Sequence, residues 1–100
     1  MIIFRQSSAV AQDEGYRLTA TPSAVVVEAR TGAGAFYGLQ TLRQILPPDV
    51  EIAPRGRRVW SIPVAIVEDA PRYPYRGMHL DVGRHFFPVS FVKRYIDLLA

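Results

Sequence analysis

The part of the sequence that most limits the fold is the stretch from Tyr75 to Pro88 with the apolar stripe that follows it. Met78-His79-Leu80-Asp81-Val82 reads as a strand with an acid near its end, and Gly83-Arg84-His85 marks the hand-over to a loop. From Ser90 to Ala100 the period becomes helical: Phe91, Val92, Tyr95, Ile96 and Leu99 share one face, with Lys93, Arg94 and Asp97 outside it. Strand, polar turn and amphipathic helix make the first half of a βαβ repeat. One strand and one helix cannot close a hydrophobic core. If this is the start of an α/β barrel, residues 71–100 are its truncated first β-α unit and the remaining strands and helices are missing. The ending Leu98-Leu99-Ala100, with no capping glycine or tail, fits a cut. Asp81, Arg84 and His85 fall within five residues beside Phe86, Phe87 and Pro88, which suits the rim of a pocket better than a solvated face.

Residues 1–70 read as a small two-layer α/β domain (α+β type), sheet against helix. Ile2 to Phe4 is a short strand, and Ser7 to Gly15 a polar loop. Tyr16, Leu18 and Ala20 alternate with Arg17, Thr19 and Thr21, the period of a strand with one wet face. Pro22-Ser23 turns the chain, and Ala24 to Ala29, rich in valine, completes a hairpin. From Ala35 to Ile45 the residues Phe36, Leu39, Leu42 and Ile45 or Leu46 recur at helical spacing, predicting one buried face. Gly38 within it costs roughly 1 kcal/mol relative to alanine, either for close approach to the sheet or as a tolerated residue. Pro47-Pro48 stops the helix.

Gly32-Ala33-Gly34 lacks the full dinucleotide pattern and the Lys-Ser/Thr ending of a phosphate loop, so a plain strand-to-helix turn is expected. Asp49 to Arg58 reads as a loop. Val59 to Val64 and Val64 to Glu68 offer one or two further strands, interrupted by Pro63, with Trp60 as a core anchor. Asp69-Ala70-Pro71-Arg72-Tyr73-Pro74 is the domain junction, placing the division at 1–70 and 71–100. A unit of about 70 residues buries only about 60% of its unfolded surface and is expected to lean on something larger.

Charge and composition exclude some classes of function. The net charge of +3 comes from residues 71–100, because seven arginines balance seven acids before them. Basic residues are scattered, and the one tight run, Arg55, Arg57 and Arg58, reads as a solvated loop, so no nucleic-acid partner is expected. No segment approaches the ~20 continuous apolar residues of a membrane helix. Met1 to Arg5 is too short for a secretory leader, and the absence of cysteine fits any compartment, so localisation stays open. His79, His85 and one aspartate do not converge by spacing, so no metal is expected.

The run Asp69-Ala70-Pro71-Arg72-Tyr73-Pro74-Tyr75-Arg76-Gly77-Met78-His79-Leu80-Asp81-Val82-Gly83-Arg84-His85-Phe86-Phe87-Pro88 resembles the entry into the catalytic barrel of the β-N-acetylhexosaminidases of glycoside hydrolase family 20. Gly34-Ala35-Phe36-Tyr37-Gly38-Leu39-Gln40-Thr41-Leu42-Arg43-Gln44-Ile45-Leu46 resembles the helix of that family's non-catalytic domain, and the hairpin from Tyr16 to Ala29 is similar to the strands before it. The resemblance covers roughly residues 14 to 100.

It implies an exo-glycosidase, lysosomal-like or bacterial, acting on glycans that end in N-acetylglucosamine or N-acetylgalactosamine. Retention of configuration would come from attack by the substrate's own acetamido oxygen, in place of a second protein carboxylate. The family's catalytic Asp-Glu pair lies on a later barrel strand, so no catalytic residue is assigned here. Asp13-Glu14 sits in the N-terminal polar segment and carries no catalytic weight; Glu68-Asp69 has the reverse order. Arg84 matches the arginine that grips sugar hydroxyls, a role suited to a fixed fork of donors. A salt bridge to Asp81 is its structural alternative, and the two roles can coexist. Asp81 is expected to be a buried orienter of groups at the barrel mouth, and His85 to support the site by hydrogen bonding. His79 is expected to be packed within its strand, and Arg76 to serve structure at the strand's opposite end. The resemblance implies no cofactor and no metal.

The chain alone is expected to be inactive. An alternative is a non-enzymatic carbohydrate-binding or interaction module, which needs Trp60 and Tyr37 in an exposed concave patch. A different barrel hydrolase with the same first strand is a third reading. The stripe of Phe91, Val92, Tyr95, Ile96 and Leu99 is expected either to drive self-association or to pack back on the small domain.

Overall fold

The computed structural model of the protein describes residues 1–52 and 59–99. The expected loop around Arg55, Arg57 and Arg58 lies outside the described residues. Four strands form one sheet: β1 (Ile2–Gln6), β2 (Tyr16–Ala20), β3 (Val25–Ala29) and β4 (Ala65–Asp69). Their order is β1-β3-β2-β4, with β1 parallel to β3 and the other pairs antiparallel. Helix α1 (Gly32–Ile45) lies on β2 and β3, a one-turn helix α2 (Asp49–Ile52) follows it, and α3 (Val89–Leu99) ends the described chain.

The hairpin forms as its alternation predicts. Leu18 pairs with Val27, Tyr16 with Ala29 and Ala20 with Val25, so the small and branched side chains meet on one face. Leu18 and Val27 are fully buried, and Tyr16, Ala20, Ala29 and Leu42 complete the core. The turn is closed by Thr21, whose N–H donates to Ala24 O at 2.9 Å while its hydroxyl accepts from Ala24 N at 3.1 Å. Within the core the Tyr16 hydroxyl and Thr41 Oγ1 are 2.5 Å apart, so the ring's polar end is satisfied where it meets α1.

On the opposite face the register sets Arg5, Glu28, Arg17 and Glu68 in one row across all four strands. Two ion pairs form along it, Arg5–Glu28 at 3.3 Å and Arg17–Glu68 at 3.1 Å. This is the wet face that the alternation of β2 requires.

Helix α1 starts earlier than its apolar period suggests. Thr31 is the N-cap, accepting from Gly34 N at 3.4 Å and donating its hydroxyl to Asp13 O at 2.5 Å. The turn glycines Gly32 and Gly34 therefore belong to the helix. The buried side also differs in part from expectation: Leu42 is in the core and Ile45 packs against it, as expected. Gly34, Gly38 and Leu42 face the sheet, whereas Phe36 and Leu39 are 39% and 38% exposed. Close approach explains it: a Cβ on Gly34 would stand 2.1 Å from Gly15 O, and one on Gly38 would stand 2.5 Å from Val27 Cγ1. Only glycine lets the helix backbone sit this near the strands, which settles the role of Gly38.

Three further expectations are corrected. Asp49–Ile52 is a short helix, not part of the loop expected over Asp49 to Arg58. Of the strands proposed over Val59 to Glu68 only Ala65–Asp69 forms, beginning two residues after Pro63, which has no N–H to offer a ladder. Met78–Val82 forms no strand: residues 78–81 have no regular secondary structure, Val82 lies in a turn, and Met78 and Val82 are 65% and 66% exposed. A strand is held by its neighbours' backbone groups, and none of the four strands here pairs with it.

Candidate functional site

Beyond β4 the chain crosses the proline-rich junction and is caught by Arg76. Its Nη2 donates to Glu14 Oε1 at 2.9 Å and its Nη1 to Glu14 Oε2 at 3.2 Å, a bidentate pair between residues 62 apart. Nη2 also donates to the Tyr37 hydroxyl and Nη1 to Tyr73 O, while the guanidinium lies 4.9 Å from the centroid of the Tyr37 ring. The bond to Glu14, then that to Tyr37, raises the Arg76 pKa above its ordinary value. A raised folded value means that stability from this charge is complete below the ordinary arginine pKa and is lost only as pH climbs past the folded one. Arg76 therefore stays charged throughout the working range. Its structural role was legible in the sequence; its partner Glu14 was not.

Five residues on, Asp81 folds the turn that carries Arg84. Asp81 Oδ1 accepts from Gly83 N at 2.9 Å and from Arg84 N at 3.2 Å, and Oδ2 pairs with Arg84 Nε at 2.6 Å. A short acidic side chain that accepts from the next backbone N–H groups builds this turn without a sheet around it. Asp81 is half-buried, not fully buried as expected, and its carboxylate is spent on the turn and on Arg84. The salt bridge foreseen as an alternative for Arg84 is present. Arg84 remains 86% exposed, and among the described residues its two Nη groups bond to nothing. A guanidinium held by Nε with its fork outward is posed to donate to a ligand's oxygens.

His85 is exposed next to Arg84 and is not held by another side chain among the described residues. His79 is exposed too, and not packed inside a strand as expected; its carbonyl accepts from the Tyr95 hydroxyl at 3.2 Å. That bond ties α3 to the segment before Asp81. Phe87, Phe91 and Tyr95 stack in series, with centroids 4.7 and 6.1 Å apart. Helix α3 buries no residue, so its stripe does not pack back on the sheet domain.

An open cleft of about 720 Å³ lies elsewhere, between the loop after β1 and the charged row, lined by Val10, Gln12, Arg17, Glu28 and Glu68 among others. None of Asp81, Arg84 and His85 lines it. Nor do Tyr37 and Trp60, the aromatics a carbohydrate-binding module would need. Tyr37 is half-buried against the core and engaged by Arg76, and Trp60 is half-buried.

Comparison with known proteins gives matches to two family models. Residues 2–70 match the family model described as glycosyl hydrolase family 20, domain 2, and residues 73–100 match that of the family's catalytic domain. A β-hexosaminidase of Porphyromonas gingivalis is 39% identical over 89 residues, which is 89% of this chain and 12% of that protein. A β-N-acetylhexosaminidase of Cellulomonas fimi is 41% identical over 90 residues, 90% of this chain and 17% of its own length. Among solved structures, the N-acetyl-β-hexosaminidase of Streptomyces plicatus superposes with a TM-score of 0.87 at 48% identity, covering 97% of this chain and 19% of that one. The family 20 β-N-acetylhexosaminidase of Streptomyces coelicolor gives 0.88 at 46%, with 97% and 20% covered. The chain thus spans a fifth or less of each of these relatives. With a domain match running over residues 2–70 and a second beginning at residue 73, the chain belongs to glycosyl hydrolase family 20.

Proposed function

We propose that this chain is the non-catalytic domain, residues 1–70, and the opening of the catalytic barrel, residues 71–100, of a β-N-acetylhexosaminidase. The whole protein removes terminal, non-reducing N-acetylglucosamine or N-acetylgalactosamine from glycans. The observation that carries this reading is the order of the two matches: domain 2 and then the catalytic domain of one family, within a single chain.

The proposed mechanism is retaining and substrate-assisted. The acetamido oxygen of the substrate attacks the anomeric carbon while an acid protonates the leaving oxygen, and an aspartate steadies the acetamido group. The chain contains no Asp-Glu pair at a strand end to do this, because Asp13-Glu14 precedes β2 and Glu14 is held by Arg76. Those groups belong to a later part of the barrel. Arg84 is the contribution of this chain: its outward fork binds sugar hydroxyls, Asp81 holds the fork in place, and His85 supports the rim. No cofactor is required.

The test is hydrolysis of a chromogenic N-acetyl-β-glucosaminide by this chain and by the longer polypeptide that continues through the barrel. The longer form is expected to turn over and to release product of retained configuration, and the chain alone to be inert. Absence of turnover in a folded longer form, or release of the inverted anomer, would refute the reading.

A further inference from the structure

Among the described residues, every hydrogen bond and ion pair joining residues 71–99 to residues 1–70 is made by Arg76. Its partners come from two parts of the small domain: Glu14 just before β2, and Tyr37 on α1. Arg76 and Glu14 are about a third exposed, at 35% and 39%, so their pairing is sheltered without being dry. The Asp81–Arg84 turn begins five residues later, and no strand holds the segment between.

From this we propose that Arg76 is a positioning residue for the sugar site, through which the sheet domain sets where the Asp81–Arg84 turn stands. The proposal rests on the functional reading above and adds a role for the small domain: it is part of the recognition apparatus, acting through one clasp. Arginine is required by the geometry. Two parallel bonds to one carboxylate, a hydroxyl contact and a stack on a ring need a planar fork, and a lysine ammonium supplies one charge and no plane. A single bond in place of the fork leaves segment 77–85 free to pivot about Glu14.

Two readouts test it. In this chain, Arg76→Lys is expected to speed amide hydrogen exchange at Gly83 and Arg84, whose N–H groups are bonded within the Asp81 turn, while β2 and β3 keep their protection. In the longer polypeptide, Arg76→Lys and Glu14→Gln are each expected to raise KM for an N-acetylglucosaminide roughly five- to tenfold with kcat within about twofold. The double variant is expected to be no worse than the worse single one, since both break the same contact. Tyr37→Phe, which keeps the ring and removes one acceptor, gives a milder version should Arg76→Lys fold poorly. A lowered Tm with unchanged exchange at Gly83 and Arg84 and unchanged KM would reduce Arg76 to a fold-stabilising residue and overturn the proposal. So would additive effects of the two substitutions. A longer polypeptide with no hydrolysis before any substitution would overturn the functional reading and the KM claim with it; the exchange arm would still decide whether the clasp orders the segment.

Discussion

Gly38 of α1 lies over Val27 of β3 so closely that a methyl group on Gly38 would stand 2.5 Å from Val27 Cγ1. With Gly34, one turn earlier, it forms the strip on which the helix backbone meets the sheet. Gly38→Ala is expected to lower stability by about 1–3 kcal/mol, because a packed core must shift to admit the added carbon. Gly34→Ala is expected to cost more than Gly38→Ala, since its new neighbour is the backbone oxygen of Gly15, which cannot rotate away. Gly32→Ala meets nothing within 4 Å and is expected to be neutral or slightly stabilising. Urea denaturation of the three variants checks this ranking.

The hydrogen bond between Tyr16 and Thr41 is the polar element of an otherwise apolar core. Thr41→Val is expected to cost about 1–3 kcal/mol by leaving the tyrosine hydroxyl without its partner. Removing both groups, as Tyr16→Phe with Thr41→Val, is expected to cost less than the sum of the single changes, and a double-mutant cycle on thermal unfolding measures the difference.

The charged row across the sheet should matter little to stability. Arg17→Gln removes an ion pair whose side chains are 48% and 64% exposed, so the expected loss is under about 1 kcal/mol. The gap between the variant and the parent is expected to shrink in high salt, because exposed charges are screened. Urea midpoints at low and high ionic strength report it.

The turn at Asp81 offers a local test. Asp81→Ala removes the acceptor for the Gly83 and Arg84 amides and the partner of Arg84 Nε. Amide exchange at Gly83 and Arg84 is expected to accelerate, while β2 and β3 are unaffected.

Local pattern carried much of the fold. The alternation of β2, the valine-rich β3 and the helical period of α1 are written within a few residues each, and all three elements form. The buried side of α1 holds Leu42 and Ile45 as expected but not Phe36 and Leu39, because glycine carries no hydrophobic signal: Phe36 and Leu39 outweigh Gly34 and Gly38 on any apolar scale, yet the glycines face the sheet. Met78–Val82 has the composition of a strand, but pairing is a property of neighbours, and no strand here lies beside it. The Arg84–Asp81 pair was legible because its members are three positions apart. The Arg76–Glu14 pair spans 62 residues, and no spacing rule connects them. The cleft beside Val10 and Arg17 had no sequence signature, being made where a loop meets the edge of a register.

The proposed role of Arg84 is to bind the terminal sugar in a hexosaminidase whose bond-breaking groups lie outside this chain. Steady-state hydrolysis of an N-acetyl-β-glucosaminide by the longer polypeptide, with and without Arg84→Lys, tests it most directly. The fork of donors is lost while the charge is kept, so the specificity constant kcat/KM is expected to fall by at least about tenfold in a protein of unchanged Tm. An Arg84→Lys variant with the parent's kcat/KM would contradict the account.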